Sequence, residues 1–162
     1  MSSRLATHSR GGFTLIEAVI VVLALGISLP TTLVWLDEAN QRRVDGVNQT
    51  RASALSSLVM EHVLADVSSR ASGRGFAALS NSATYLNDAT NGLVSRLATI
   101  TSPYTAMGMT YSVNIGGLVD KSAAVTGVVN QDVFRRITVT VSFTGSDGAA
   151  RTVSVQSLVT AL

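Results

Sequence analysis

The longest apolar stretch of the chain covers residues 18–36 and contains no charged side chain. As an α-helix, these nineteen residues would be about 28 Å long, which matches the hydrocarbon thickness of a bilayer. We therefore predict one transmembrane helix, or one long apolar helix able to act as one, over residues 13–36.

Beyond this stretch the pattern stays helical but becomes amphipathic. Apolar residues recur at helical spacing along one stripe, which consists of Val44, Val47, Leu55, Leu58, Val59, Val63 and Val67. The first strong stop signal is the segment SGRG, residues 72–75. The pattern predicts a single helix over about 14–71, bent at Pro30, whose second half, 37–71, packs on a C-terminal domain.

Residues 72–108 give a weaker signal. The segment NSATYLNDATNG, 81–92, is polar and typical of turns, whereas GLVSRLATI, 92–100, is compatible with a short helix. We predict a variable and largely irregular connector here.

From Met109 onward the apolar pattern has a period of two. The segments YSVNI, ITVTVSF and TVSVQ alternate between apolar and polar residues. Such alternation is typical of antiparallel strands with one buried face. We therefore predict an antiparallel sheet within residues 109–162.

The turn between the last two strands determines their register. A two-residue loop, Asp147-Gly148, would place an apolar residue opposite a polar one. A three-residue loop, 146–148, instead pairs Val141 with Val153 and puts Gly148 at the left-handed position. The apolar face of the sheet would then cover the helix stripe, which predicts an α+β fold with a long N-terminal helix packed on a C-terminal antiparallel sheet.

The net charge of +2 is a local property. Arg4 and Arg10 precede the apolar stretch, and after Gly12 ten basic residues balance ten acidic ones. The basic pI therefore reflects the N-terminal residues alone, and no nucleic-acid binding is expected. Arg4 and Arg10 precede the stretch, Asp37 and Glu38 follow it at once, and Arg42 and Arg43 come a little later. The positive-inside rule therefore favours a cytoplasmic N-terminus and an exported C-terminal part.

Nothing in the sequence indicates catalysis or a cofactor. There are no cysteines, which excludes disulfides and thiolate metal sites, and no nucleophile-elbow, zinc-protease or phosphate-loop motif. His62 is expected to be an ordinary helix-face residue, and Arg135 and Arg136 should point to opposite faces of their strand. Three aspartates in the C-terminal part are too dispersed to define a metal site: Asp120, Asp132 and Asp147. We expect no enzyme activity, no cofactor and no metal.

One carboxylate, Glu17, stands at the start of the apolar stretch, and the small pair Gly11-Gly12 comes before the stretch rather than after it. A conventional secretory signal is cut after its apolar core. A cut after Gly12 would keep the helix and create a free amine at Phe13, which shares a helix face with Glu17. The carboxylate could pair with that amine, in its own chain or in a neighbour staggered by about one turn, or lie at the membrane interface and reach water. The residues alone leave these alternatives open.

The segment GGFTLIEAVIVV resembles the N-terminus of type IV prepilins and type II secretion pseudopilins, the class III signal. The match covers Gly12, the aromatic Phe13, the Thr-Leu-Ile step that follows, Glu17 and the apolar tail. The resemblance implies that a prepilin peptidase cuts between Gly12 and Phe13 and methylates the new amine of Phe13, and that Glu17 helps to recruit the subunit into a filament. It also implies a pilin-like ladle fold.

The C-terminal hairpin, FRRITVTVSF…RTVSVQSLVTAL, is similar to minor pseudopilins of the I class and to related minor pilins, and the missing cysteine pair argues against a major type IVa pilin. The expected function is a processed structural subunit, a minor component, whose partners are prepilin peptidase, other pilin or pseudopilin subunits and inner-membrane lipid. It would cross the inner membrane once, with a periplasmic or extracellular C-terminal domain. The alternative is an uncleaved single-pass membrane protein whose exported β-rich domain binds a partner or ligand.

Overall fold

The computed structural model describes residues 14–128 and 130–161. Its elements are helix α1 (Leu15–Val67), a 3₁₀ helix (Phe76–Ser80), helices α2 (Ser82–Asn87) and α3 (Leu93–Ala106), and strands β1 (Thr110–Val119), β2 (Phe134–Thr144) and β3 (Ala150–Thr160). The three strands form one antiparallel sheet in the order β1-β2-β3. The predicted α+β class, a long N-terminal helix followed by an antiparallel sheet, is confirmed and is consistent with a pilin-like fold.

The chain divides after Gln41 into two compact units, and α1 contributes to both. In the first unit every described residue is exposed. The helix continues through Pro30, after which Thr31 and Thr32 donate their hydroxyl protons to the carbonyls of Ile27 and Ser28. The apolar side chains of this part of α1 therefore have no covering layer within their own unit.

The core lies in the second unit, where α1 meets the sheet. The α1 residues that take part are Ala52, Leu55, Val59, Met60 and Val63. Opposite them, Ile137, Val139 and Val141 of β2 are completely buried. Because β2 is the central strand, its alternate residues point to the layer interface along nearly the whole strand.

The prediction that the buried stripe of α1 includes Val44 and Val47 is wrong. Val44 and Val47 are about half exposed, and the first fully buried helix residue is Ala52. The face of α1 that continues the buried stripe toward the N-terminus carries Asp45 and Asn48, which are half-buried polar residues. The helix therefore reaches the end of the sheet through polar contacts.

The predicted strand register is confirmed. Val139 pairs with Val155 and Val141 with Val153. Gly145 donates its N–H to the Ala149 carbonyl, which leaves residues 146–148 as the loop, and Gly148 adopts φ +78°. A left-handed glycine at this position lets a three-residue loop match the strand twist.

Side chains on the outer face of the sheet are short, polar and uncharged across three aligned rows. The rows are Thr110–Ser142–Thr152, Ser112–Thr140–Ser154 and Asn114–Thr138–Gln156. The Thr140 and Ser154 hydroxyls lie 3.0 Å apart, across the strands. The two faces of the sheet therefore have opposite character, as the alternation predicts.

The segment predicted as an irregular connector is largely helical. The 3₁₀ helix, α2 and α3 lie between residues 76 and 106, and α3 alone has 14 residues. Leu93, Leu97 and Thr101 are buried and follow one face of α3 at four-residue spacing. α2 lies in the polar stretch that favoured turns, whereas α3 begins in GLVSRLATI, which was compatible with a short helix, and continues to Ala106.

A buried carboxylate joins the end of α1 to α2 and α3. Asp66 is 4% exposed and receives two hydrogen bonds from the Arg96 guanidinium, in a bidentate pair. The Tyr85 hydroxyl donates to Asp66 at 2.8 Å, and Arg74 lies 3.6 Å away. Burial next to this carboxylate raises the pKa of Tyr85, and the hydrogen bonds with Asp66 raise the pKa of Arg96. We call Asp66, Tyr85, Arg96 and Arg74 the Asp66 cluster.

A second polar anchor joins α1 to the β2–β3 hairpin. The Asp45 carboxylate accepts a hydrogen bond from the Ser146 N–H and forms an ion pair with Arg151, both at 2.8 Å. A Cβ atom at Gly145 would lie 2.6 Å from the Arg151 guanidinium, so a larger residue there would push this flexible side chain aside. The anchor fixes the hairpin at the level of α1 where apolar packing has ended.

Replacing a buried valine of β2 should cost much more stability than replacing its outward neighbour. Val139→Ala is expected to lower the free energy of unfolding by about 1–3 kcal/mol, because burial is lost and a cavity remains. Thr138→Ala should change it by about 0.5 kcal/mol or less, because Thr138 faces outward. Urea unfolding of the full chain in detergent, followed by circular dichroism, measures both values, and equal losses would contradict the assigned faces.

Candidate functional site: the start of α1

The first turn of α1 is capped by Thr14. The Glu17 N–H donates to the Thr14 hydroxyl at 3.3 Å and to its carbonyl at 3.1 Å, and the Ala18 N–H also reaches that carbonyl. Thr14 is therefore the N-cap and Glu17 is the third helical residue, the spacing of a capping box. The Thr-x-x-Glu pattern that predicts this cap was present in the sequence, and our sequence analysis missed it.

The Glu17 carboxylate makes no hydrogen bond or ion pair with any residue that the structure describes. In a complete capping box the glutamate reaches back to the N–H of the cap residue. Here only the hydrogen bond from the Glu17 N–H to the Thr14 hydroxyl is present. The carboxylate is therefore exposed and available to another cation, while its backbone is held in a defined first turn.

The surroundings of Glu17 are apolar and exposed. Leu15 and Ile16 are 86% and 70% exposed, and no other charged residue lies between Thr14 and Leu36. The positive end of the helix dipole favours a carboxylate at this position. In lipid, a carboxylate without a partner would still cost at least a few kcal/mol.

The other two predicted site residues, Gly12 and Phe13, lie outside the described residues. The predicted proximity of Phe13 and Glu17 therefore stays a prediction. The described chain places Thr14 before the first helical residue, Leu15, so the predicted cleavage bond precedes the start of α1 in the sequence.

The apolar part of α1 is long and apolar enough to cross a membrane. By length and composition this part of α1 is compatible with a transmembrane or membrane-anchoring segment.

Side chains that the sequence analysis set aside occupy ordinary structural positions. Arg135 is half-buried over the Phe76 ring and donates to the Gly116 carbonyl, whereas Arg136 is exposed, so the two arginines do point to opposite faces. Among the described residues, no group of three or more His, Asp or Glu side chains could hold a metal ion.

Two of the dispersed aspartates stabilise the β1–β2 loop in which they lie. Hydrogen bonds from Ser122 and Ala124 lower the pKa of Asp120. Asp132 accepts hydrogen bonds from Thr126 and Gly127, and these outweigh burial and lower its pKa. Both carboxylates are thus committed to the loop that carries them.

Comparisons with known proteins gave no match to a family model, to a curated protein or to a solved structure.

Proposed function

We propose that this chain is a structural subunit of a type IV pilus or a type II secretion pseudopilus, most simply a minor component. Prepilin peptidase removes residues 1–12 and methylates the amine of Phe13. The mature subunit crosses the inner membrane once, with its C-terminal part exported, and enters the filament through α1.

One observation carries the proposal. The Glu17 carboxylate is exposed and unpaired among the described residues, in a capped first turn, at the start of a helix whose apolar side chains are also uncovered. A helix of this kind needs lipid or neighbouring helices around it, and its carboxylate needs a cation. Packing the α1 helices of several subunits together supplies both, since each processed neighbour contributes a terminal amine.

The first turn is also suited to processing. Thr14, which caps α1, lies after the predicted cut, so the cap would stay in the mature chain. Removal of residues 1–12 would therefore leave the helix start intact. The basic leader, with Arg4 and Arg10, would remain on the cytoplasmic side.

Processing is tested by intact-mass measurement of the protein purified from its native membrane. We expect a mature chain that begins at Phe13 and carries one added methyl group. Gly12→Leu should abolish removal of the leader, because a bulky side chain occupies the residue before the cut. The control Ser9→Leu places the same side chain in the leader away from the bond and should be processed normally.

Full-length mass for the unaltered protein, or normal maturation of Gly12→Leu, would contradict the proposal. Full-length mass would favour the alternative, an uncleaved membrane anchor with an exported β-rich domain.

A further inference from the structure

Strand β3 is an edge of the sheet and its outer side is unpaired. β3 pairs with β2 along all eleven of its residues and with no other strand. Among the described residues, no backbone group outside the sheet bonds to β3. An unpaired edge of this length is a template for pairing with another chain.

The hairpin determines which backbone groups of β3 are free. Gly145 and Ala149 are a hydrogen-bonded pair, and in an antiparallel ladder such pairs alternate with non-bonded ones. The odd-numbered residues of β3 therefore bond to β2, and its even-numbered residues direct N–H and C=O outward.

β3 also lacks the features that usually protect an edge. It has no proline and no bulge, and its one charged residue, Arg151, is paired with Asp45 and Asp147. The other edge differs, because the register of β1 is interrupted at Gly116-Gly117. On the inward face, Val153 and Val155 are only half-buried, so apolar surface continues to the open side of β3.

We propose that β3 of one copy of this chain pairs antiparallel with β3 of a second copy, about a two-fold axis through Val155, to form a continuous six-stranded sheet. This register pairs the whole strand, from Ala150 against Thr160. It places Val155 against Val155 on the inward face and Arg151 against Val159, so no like charges meet. Even-numbered residues of one copy lie opposite even-numbered residues of the other. The outward N–H and C=O groups of the two edges can therefore bond to each other.

The two edges of the sheet differ in how well they would pair with β3 of another copy. Pairing of β3 with β1 of another copy would have to use an edge whose regular part ends at Ile115. The two-fold arrangement uses the uninterrupted edge twice. Because it reverses the strand direction, it joins copies of different assemblies side by side and does not join successive subunits of a polar filament. The inference goes beyond the proposed function and does not depend on it.

Cysteine crosslinking of the full chain in detergent tests the register, and the natural sequence has no cysteine to interfere. Val155 would face its own copy in a non-hydrogen-bonded pair, with Cα atoms about 4.5 Å apart, within the range that a disulfide spans. Val155→Cys should therefore give a disulfide-linked dimer under mild oxidation. The matched control is Val113→Cys, an inward-facing, half-buried valine of the other edge strand, which should stay monomeric.

A second pair keeps the test valid if Val155→Cys does not fold. Val153 faces Ser157 of the other copy in this register. Each single variant, Val153→Cys or Ser157→Cys, should remain uncrosslinked, whereas their mixture should form a heterodimer. Monomeric behaviour of both Val155→Cys and the mixture, or self-crosslinking of either single variant, would overturn the proposal.

Gln156→Pro removes one outward N–H without removing a bond to β2, and proline is tolerated on an edge in that orientation. Combined with Val155→Cys it should reduce the crosslinked fraction at least several-fold, with an unchanged circular dichroism spectrum. Crosslinking that persists in this folded double variant would contradict edge pairing. Leader removal and filament entry of Gln156→Pro should be normal, so failure of those steps would bear on the proposed function instead.

Discussion

Glu17→Ala should enter the membrane at least as well as the unaltered chain and yet be almost absent from filaments. Membrane insertion is expected to be unchanged or better, because the variant lacks a charge that costs roughly 2.5 kcal/mol or more in lipid. Leader removal should be largely spared, since the Gly12–Phe13 bond lies more than one helical turn away. Filament incorporation should fall at least tenfold, because the carboxylate that we propose to pair with a neighbour's amine is missing. Immunoblots of sheared filaments and membranes, with intact mass for processing, measure the three steps.

Two further variants separate the charge from the shape of the side chain. Glu17→Gln keeps the hydrogen-bonding shape and should also impair assembly, because the charge is lost. Glu61→Ala removes an exposed glutamate from the second unit's part of α1 and should assemble normally. If Glu17→Ala enters filaments at the unaltered level, Glu17 is an interfacial carboxylate and the pairing argument fails. A subunit at the filament tip, with fewer neighbours, would show a milder defect.

Asp66→Ala should be the most destabilising single change in the second unit. It leaves the Arg96 guanidinium, which is mostly buried, without its carboxylate, and it removes the acceptor of the Tyr85 hydroxyl. Removal of one partner from a buried ion pair typically costs about 3–5 kcal/mol. Urea unfolding of the full chain in detergent should show this loss, and thermal unfolding should begin at a clearly lower temperature.

A double variant tests whether the unpaired guanidinium causes the loss. Asp66→Ala combined with Arg96→Met should be less destabilised than the sum of the two single changes, because the buried charge is removed together with its partner. Asp88→Ala is the control, since this exposed aspartate bonds only to nearby backbone N–H groups. If Asp66→Ala and Asp88→Ala cost the same, the Asp66 cluster does not hold the helices together.

The sheet was predictable because its determinants are local. Period-two alternation assigns the faces of β2 and β3, and a glycine at 148 is compatible with the one loop length that keeps valine opposite valine. The end of α1 was likewise indicated by Gly73 and Gly75, both with positive φ, although the helix ends at Val67, four residues before the predicted end. In each case the relevant residues are neighbours in the sequence.

The parts that were missed depend on distant partners. Helical spacing made Val44 look like a core residue, but periodicity cannot show where the sheet ends, and Asp45 faces the hairpin at that level. For α3 the sequence indicated only a short helix over 92–100, because hydroxyl residues and Pro103 conceal the four-residue spacing of its buried residues. Asp66 is an isolated acid in sequence, and its partner Arg96 lies 30 residues away.

The candidate site was predictable only by resemblance. Gly12, Phe13 and Glu17 form a recognisable order, but the roles proposed for them involve a peptidase and neighbouring subunits, which no single chain contains. What the structure adds is the Thr14 cap, which defines the backbone of the first turn and leaves the Glu17 side chain unpaired among the described residues.

The outer face of the sheet has a consequence for the environment in which such a domain works. Its three aligned rows consist of serine, threonine, asparagine and glutamine alone, so nothing in them ionises between strongly acidic and strongly alkaline conditions. Ions that screen charged surfaces have little to act on there. A surface of this kind therefore keeps the same charge in dilute, saline or acidic solution.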